Sequence, residues 1–426
     1  MRALQIRPIA ILIPILAAAL AAQQVSPPAK DTCIECHTAM DGPIQKPALL
    51  IKDDIHIANG LSCADCHGGD RSSDDPTVAM SKAKGFVGAP KRTAIPQFCA
   101  KCHSSPDFMR RFRPQQRVDQ FELYKTSVHG KKLAEGDDNV ATCIDCHSVH
   151  DIRAVKNPQS PVYPSRLPDT CGRCHADANK MAKYGIPTNQ LDQYHTSVHW
   201  ADLKNGDLAA PNCASCHGNH GAKPPEVASV AAVCGSCHVL FAQNYDKSVH
   251  QPIFSGASGG GGCIVCHSNH GIHKPSTAML AGPKAVCSGC HEPGTPGAKT
   301  AGQMAQWIDG LGEALKHSEA VLAEADKAGM EVSEAQVRLD DGRDDLVKAR
   351  LAMHTFDAEE MHKPIEAGMA IADETLRAGQ TALHEKNVRR VGLAVSVFFI
   401  AVTVAALWFF IRRLEASGSG YLESSN

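Results

Sequence analysis

Eighteen cysteines in this 426-residue chain fall into nine Cys-x-x-Cys pairs, and a histidine directly follows every pair. In chain order the sites are Cys33/Cys36/His37 (site 1), Cys63/Cys66/His67 (site 2), Cys99/Cys102/His103 (site 3), Cys143/Cys146/His147 (site 4), Cys171/Cys174/His175 (site 5), Cys213/Cys216/His217 (site 6), Cys234/Cys237/His238 (site 7), Cys263/Cys266/His267 (site 8) and Cys287/Cys290/His291 (site 9). With 22 histidines in the chain, chance does not place one after all nine pairs. Zinc would combine the pairs in twos, leaving one over, and would not require the trailing histidines. Redox-active dithiols come one to a protein, not nine. Cys-x-x-Cys-His is the attachment pattern of c-type haem: two thiols bond the porphyrin vinyl groups and the adjacent histidine becomes the proximal iron ligand. The expectation is nine covalently bound haem c groups with those nine histidines as proximal ligands, and no catalytic side chains.

The remaining histidines are placed repetitively. Tyr124–His129, Tyr194–His199 and Tyr245–His250 each read Tyr-x-x-Ser-Val-His and precede a Cys-x-x-Cys-His, which is followed three residues on by His150, His220 or His270. A second Cys-x-x-Cys-His closes each repeat. Two attachment sites and two spare histidines per repeat balance, so His129, His150, His199, His220, His250 and His270 are expected distal iron ligands. Neutral imidazole is the usual choice for a low-potential six-coordinate iron. Which spare histidine serves which iron is left open, including exchange between repeats.

Sites 1 to 3 are less well supplied. His56, seven residues before Cys63, is expected to be a distal ligand; Met40, three residues past His37, is a possible one, as are His354 and His362 from the C-terminal segment. Further candidates are His195, His273, His317 and His384. At least one of these three irons is expected to be capped by a distant histidine or left open.

These sites must be held by a mainly α fold with extensive irregular structure. Nine sites in residues 25–297, roughly 30 residues each, leave room for short helices and loops wrapped on a stack of haems whose faces supply the apolar core. Such spacing forces neighbours together, and tunnelling favours near-contact cofactors, so the stack reads as an electron wire. The expected organisation is a signal peptide over residues 1–22, a three-haem region over 23–122, a six-haem region of three dihaem repeats over 123–297, a helical bundle or stalk over 298–390, a transmembrane helix over 391–411 and a cytoplasmic tail over 412–426. The first rests on Arg2 and Arg7, an uncharged apolar run, and small residues at Ala19-Leu20-Ala21. In 300–390 there is no cysteine, and Met304, Trp307, Ile308, Leu311 and Leu315 recur at helical spacing, with breaks near Gly329 and before Asp357 and Pro364 beyond. Val391–Ile411 carries no charge and is flanked by Arg389-Arg390 and Arg412-Arg413. That is long enough to span a bilayer, with the haem region on the periplasmic side.

Net charge is -2 and aromatic residues make up 5% of the chain, which excludes a nucleic-acid reader and leaves little side-chain material for a large core. The one basic cluster, Arg110, Arg111, Arg113 and Arg117, is expected to neutralise haem propionates rather than dock an acidic partner.

From Cys33 to His291 the chain resembles the multihaem c-type cytochromes of bacterial respiratory chains with paired Cys-x-x-Cys-His motifs. The stretch from Cys33 through Met40 to Cys63–His67 is faintly similar to NapC/NrfH-type quinol dehydrogenases, which are anchored at the N-terminus, whereas this chain has its anchor at the C-terminus. The helical C-terminal segment looks like the helices that follow the haems in hydroxylamine-oxidoreductase relatives; the Cys-x-x-Cys-Lys motif of ammonia-forming nitrite reductases is absent. The resemblance implies a membrane-anchored cytochrome in the cytoplasmic membrane, relaying electrons between the quinone pool or an integral membrane redox subunit and a periplasmic or outer-surface acceptor. The alternative is a multihaem oxidoreductase with one open-coordination haem acting on a nitrogen or sulfur oxyanion.

Overall fold

The computed structural model describes residues 31–225, 230–255 and 260–418. The expected signal peptide over 1–22 and the last eight residues of the expected tail lie outside the described residues. The chain divides into two compact units, Met1–Thr170 and Cys171–Asn426. Among the described residues there is no strand, and from Thr32 to Phe254 the α-helices run four to nine residues.

The helices are short because the sequence ends each one deliberately. In Tyr-x-x-Ser-Val-His the serine stops one helix and caps the next. Ser127 Oγ donates to the Tyr124 carbonyl at 2.6 Å and accepts the Gly130 amide at 2.9 Å, while Ser197 Oγ donates to Tyr194 at 2.6 Å and accepts Trp200 N at 3.1 Å. Val128–Ala134 and Val198–Lys204 therefore start one residue before His129 and His199, which fall in the first turn. Tyr124 and Tyr194 then tie these helices to the next attachment site, their hydroxyls donating to Ala141 O and Pro211 O, each at 2.8 Å and two residues before Cys143 and Cys213. Gly130 has no alternative, since a Cβ there would lie 2.0 Å from Tyr124 O.

Six of the attachment sites take one of two local forms. Sites 2, 4, 6 and 8 occupy five-residue helices, and at the first three a capping box closes the start: Ser62 with Asp65, Thr142 with Asp145 and Asn212 with Ser215. Each of these helices ends in a positive φ, at Gly68, Ser148, Gly218 and Ser268, with ψ near 180°. That region strains the two serines and turns the chain sharply away from the proximal histidine. Sites 3 and 5 instead end longer helices, Ile95–His103 and Leu167–His175.

Residues 296–418 are built differently. Three long helices, Pro296–Lys327, Ser333–Ala352 and Ala358–Gly418, pack antiparallel. Gly329, at φ 76°, ends the first in a left-handed turn, and Phe356, at φ 57°, follows the 3-10 turn Met353–Thr355 that ends the second. Pro364 lies inside the third helix rather than beyond a break. Leu311, Leu322, Ala325, Ala349 and Met361 are 0 to 1% exposed. Gly368 lets the helices close on one another, since a Cβ there would meet Leu311 Cδ2 at 2.8 Å. Ser318 and Thr375 share a 2.7 Å hydrogen bond inside this core, so neither buried hydroxyl is stranded. The third helix continues through Val391–Ile411, where every residue is exposed and the most apolar window has a mean hydropathy of 2.5, long and apolar enough to cross a membrane.

Candidate functional site

Six of the proximal histidines are paired with others across gaps of one size. Within the first unit, His67 faces His150 with ring centroids 6.2 Å apart and planes 23° from parallel, and His103 faces His56 at 5.9 Å and 77°. Within the second unit, His217 faces His270 at 6.1 Å and 11°, His238 faces His199 at 6.4 Å and 30°, His267 faces His354 at 6.2 Å and 14°, and His291 faces His250 at 6.0 Å and 75°. Imidazole nitrogens bind such metals at about 2 Å, so one ion between two facing rings sets their centroids roughly 6 Å apart. The donor set and the gap fit a six-coordinate haem iron at each of these six sites.

The proximal histidines of sites 1, 4 and 5 are not members of these pairs. His37 sits in the last turn of Thr32–Thr38, His147 ends Cys143–His147 just before the turn at Ser148, and His175 ends Leu167–His175. All three are half-buried.

Several of these rings are oriented through Nδ1. His67, His217 and His354 lie 3.1, 3.3 and 3.0 Å from the carbonyls of Val87, Lys223 and Arg350, and His37 lies 3.4 Å from that of Ile44. An Nδ1–H donated to a carbonyl leaves the Nε2 lone pair free for a metal. Burial lowers the pKa of His150, His199, His250, His267, His270 and His354, which favours the neutral, ligating form.

The facing pairs also follow a register. The second site of a repeat faces the histidine of that repeat's own Ser-Val-His, as with His199 and His238. The first faces the histidine from the following repeat, as with His270 and His217. Site 8 has no repeat after it, and His354, from the 3-10 turn of the bundle, takes that place. Phe241 and Phe356 wedge this turn in position, 4.9 Å from His354 and 4.1 Å from His250, and Asn244 Nδ2 donates to Leu351 O at 2.9 Å.

A fourth repeat, over sites 2 and 3, is missed by a search for Tyr-x-x-Ser-Val-His. Asp54-Ile55-His56 does the work of Ser-Val-His, with Asp54 capping the helix Ile55–Ala58 by accepting the His56 amide at 2.8 Å. The same backbone clamp recurs: Ile55 N donates to Ile152 O as Val198 N donates to Ile272 O, both at 2.8 Å, two residues past His150 and His270. The equivalence of aspartate and serine as caps was the available signal.

Other candidates lie elsewhere. His362 stacks on Trp307 at 4.7 Å and faces Glu366 at 3.7 Å inside the bundle, and His195 stacks on Trp200 at 4.5 Å. His273, His317 and His384 are outside the six pairs, and Met40 is 42% exposed. His129 occupies the first turn of Val128–Ala134, and His220 follows site 6. Arg117 pairs with Asp119, and Arg110 with Asp107 at 3.4 Å, so two of the four clustered arginines already have carboxylate partners.

None of the eighteen cysteines is in a disulfide. Consecutive sites meet through their sulfurs. Cys99 lies beside Cys143, Cys171 beside Cys213, and Cys234 beside Cys263. Cys33 lies in the field of Cys63, Cys66 in that of Cys102, Cys216 in that of Cys237 and Cys266 in that of Cys287 and Cys290. Sites 1 to 4 thus form one continuous run in the first unit, and sites 5 to 9 another in the second.

Cys36 is exposed, and Cys146 and Cys174 are half-buried. Burial, and then the fields of Cys143, Asp145 and Cys146, push the Tyr124 hydroxyl up to about 12.

Comparison with known proteins agrees. The Cytochrome c3 family matches residues 55–176, the Doubled CXXCH motif residues 250–295, and Cytochrome c554 and c-prime residues 17–68. No solved structure matches the chain. Paired attachment motifs, facing histidines and these three families define one class, and the chain is a multihaem c-type cytochrome, an electron-transfer protein carrying covalent haem c. It is similar to the multiheme cytochrome MtrA of Shewanella baltica (strain OS185), 24% identical over 236 residues, covering 50% of this chain. The chain spans about half, 54%, of that relative's length.

Proposed function

We propose that the chain is a nonahaem electron wire, anchored by its C-terminal helix with the haem region outside the cytoplasmic membrane. It passes electrons between the quinone pool, through an integral membrane redox partner, and a periplasmic or outer-surface acceptor. The observation that carries this is the set of facing histidines on sites joined sulfur to sulfur. Haem bound there supplies reversible one-electron chemistry. The protein's part is to fix both axial imidazoles, hold neighbouring sites in contact and exclude other ligands from the iron. His56, His150, His199, His250, His270 and His354 are the distal ligands of sites 3, 2, 7, 9, 6 and 8, and His129 and His220 between them serve sites 4 and 5. Cys36, Cys146 and Cys174 are thioether positions, and His37, His147 and His175 the proximal ligands of sites 1, 4 and 5, on the strength of the attachment motif.

The bundle argues for a partner. From Ala358, beside the turn that carries His354, to Val391 is 33 residues of continuous helix, about 50 Å at 1.5 Å per residue. A quinol in the bilayer does not reach sites 8 and 9 across that distance, which supports exchange of electrons with the quinone pool through another redox protein.

Site 1 carries the second reading, an open iron acting on a nitrogen or sulfur oxyanion. By the register, the histidine serving site 1 would come from the repeat over sites 2 and 3. Its place there, three residues past His67, is held by Asp70, which bonds Ser72 Oγ at 2.6 Å and Lys84 at 2.5 Å.

Electron paramagnetic resonance of the oxidised, detergent-solubilised protein, with haem counted by pyridine haemochrome, tests both. The wire predicts nine haems, low-spin, in two populations: rhombic signals where the imidazole planes are near parallel and large-anisotropy signals where they are near perpendicular. One stoichiometric high-spin haem in the parent protein would favour the enzyme. In His354→Ala one further haem becomes high-spin; an unchanged spectrum would remove His354 from the coordination set.

A further inference from the structure

Asp54 differs from every residue at its place in the other repeats. Ser127, Ser197 and Ser248 stand there and offer a neutral hydroxyl. Asp54 offers a carboxylate, 3% exposed. Its Oδ1 lies 2.8 Å from both His56 N and His56 Nδ1, and its Oδ2 accepts the Ile152 amide at 2.8 Å. Two backbone amides and the His56 ring converge on this carboxylate, a donor set that suits its charged form. At His37, His67, His217 and His354 the Nδ1 neighbour is a peptide carbonyl.

We propose that Asp54 sets the reduction potential of site 3, lowering it below the value that the same histidine pair would give with a neutral partner. The proposal rests on the assignment of His56 and His103 as the axial ligands of that site. An imidazole whose Nδ1–H is donated to a carboxylate gains imidazolate character and becomes a stronger donor to iron, which stabilises the ferric over the ferrous state. The negative charge acts in the same direction, and its burial keeps water from screening it. The bond to Ile152 fixes the carboxylate, so the orientation is not left to a mobile side chain. Site 3 becomes a low-potential step in the run of sites 1 to 4, one that an electron crosses rather than occupies.

The test is a spectroelectrochemical titration of the full-length holoprotein carrying Asp54→Asn or Asp54→Ser, the latter copying the cap of the other repeats. The expected result is one low-potential component moving upward while the others and the haem count stay as in the parent, with altered g-values in one large-anisotropy low-spin signal. Should Asn disturb haem attachment, the Ser variant decides. Midpoints unchanged in the Ser variant would overturn the proposal. His56→Ala separates this from the underlying assignment: a new high-spin haem there, alongside unchanged midpoints in the Asp54 variants, sinks only the tuning role. No new high-spin haem in His56→Ala sinks the ligand assignment and the tuning with it.

Discussion

The haem region and the helical bundle solve the problem of a core in opposite ways. In residues 296–383 the apolar side chains of three helices bury one another, and nearly every member of the hydrophobic core comes from there. Residues 31–295 carry the same polypeptide chemistry but few buried apolar side chains, among them Ala100, Leu133, Met181, Leu203 and Tyr245. Their helices are mostly too short to be stable alone. Val239, Leu240, Val249 and Ile253, beside sites 7 and 9, are 48 to 70% exposed. The contrast teaches that the bundle is held by its own side chains, whereas the haem region is a set of capped turns that a large apolar group must complete.

The strongest way to break that comparison is to remove the cofactor. Full-length protein made without haem attachment is expected to lose cooperative structure in residues 31–295 while keeping the circular-dichroism helix signal and hydrogen-exchange protection of 296–383. Protection of both regions in the apoprotein would show that the haem region has a core of its own. Leu322→Ala should act in the opposite sense, costing the bundle about 2–5 kcal/mol by chemical denaturation and leaving the haem spectrum untouched. Ser197→Ala is the smallest, about 1 kcal/mol from the lost cap, read as faster exchange of the amides of Val198–Lys204. An equal loss in the bundle amides would mean that the two regions of the second unit unfold as one.

Much of this was legible in the residues. The nine attachment motifs, the helical nature of 300–390 and the apolar stretch Val391–Ile411 each depend on local spacing, and local spacing is what a sequence displays. Pro364 was less transparent, because a proline early in a long helix loses one hydrogen bond where tertiary packing supplies the rest. The repeat over sites 2 and 3 hid because Asp54 caps by the same hydrogen bond as serine while looking nothing like it in a motif.

By itself, the sequence determined what each segment can bind: two thiols and a histidine on one short turn suffice to specify an attachment site, and a serine or aspartate suffices to place another histidine in the first turn of the next helix. Only the tertiary structure decided which histidines face each other. His150 meets His67 and His354 meets His267 across 83 and 87 residues of chain, and such pairings follow from how repeats stack rather than from any local rule. The same holds for Asp54, whose effect depends on burial and on an amide 98 residues away.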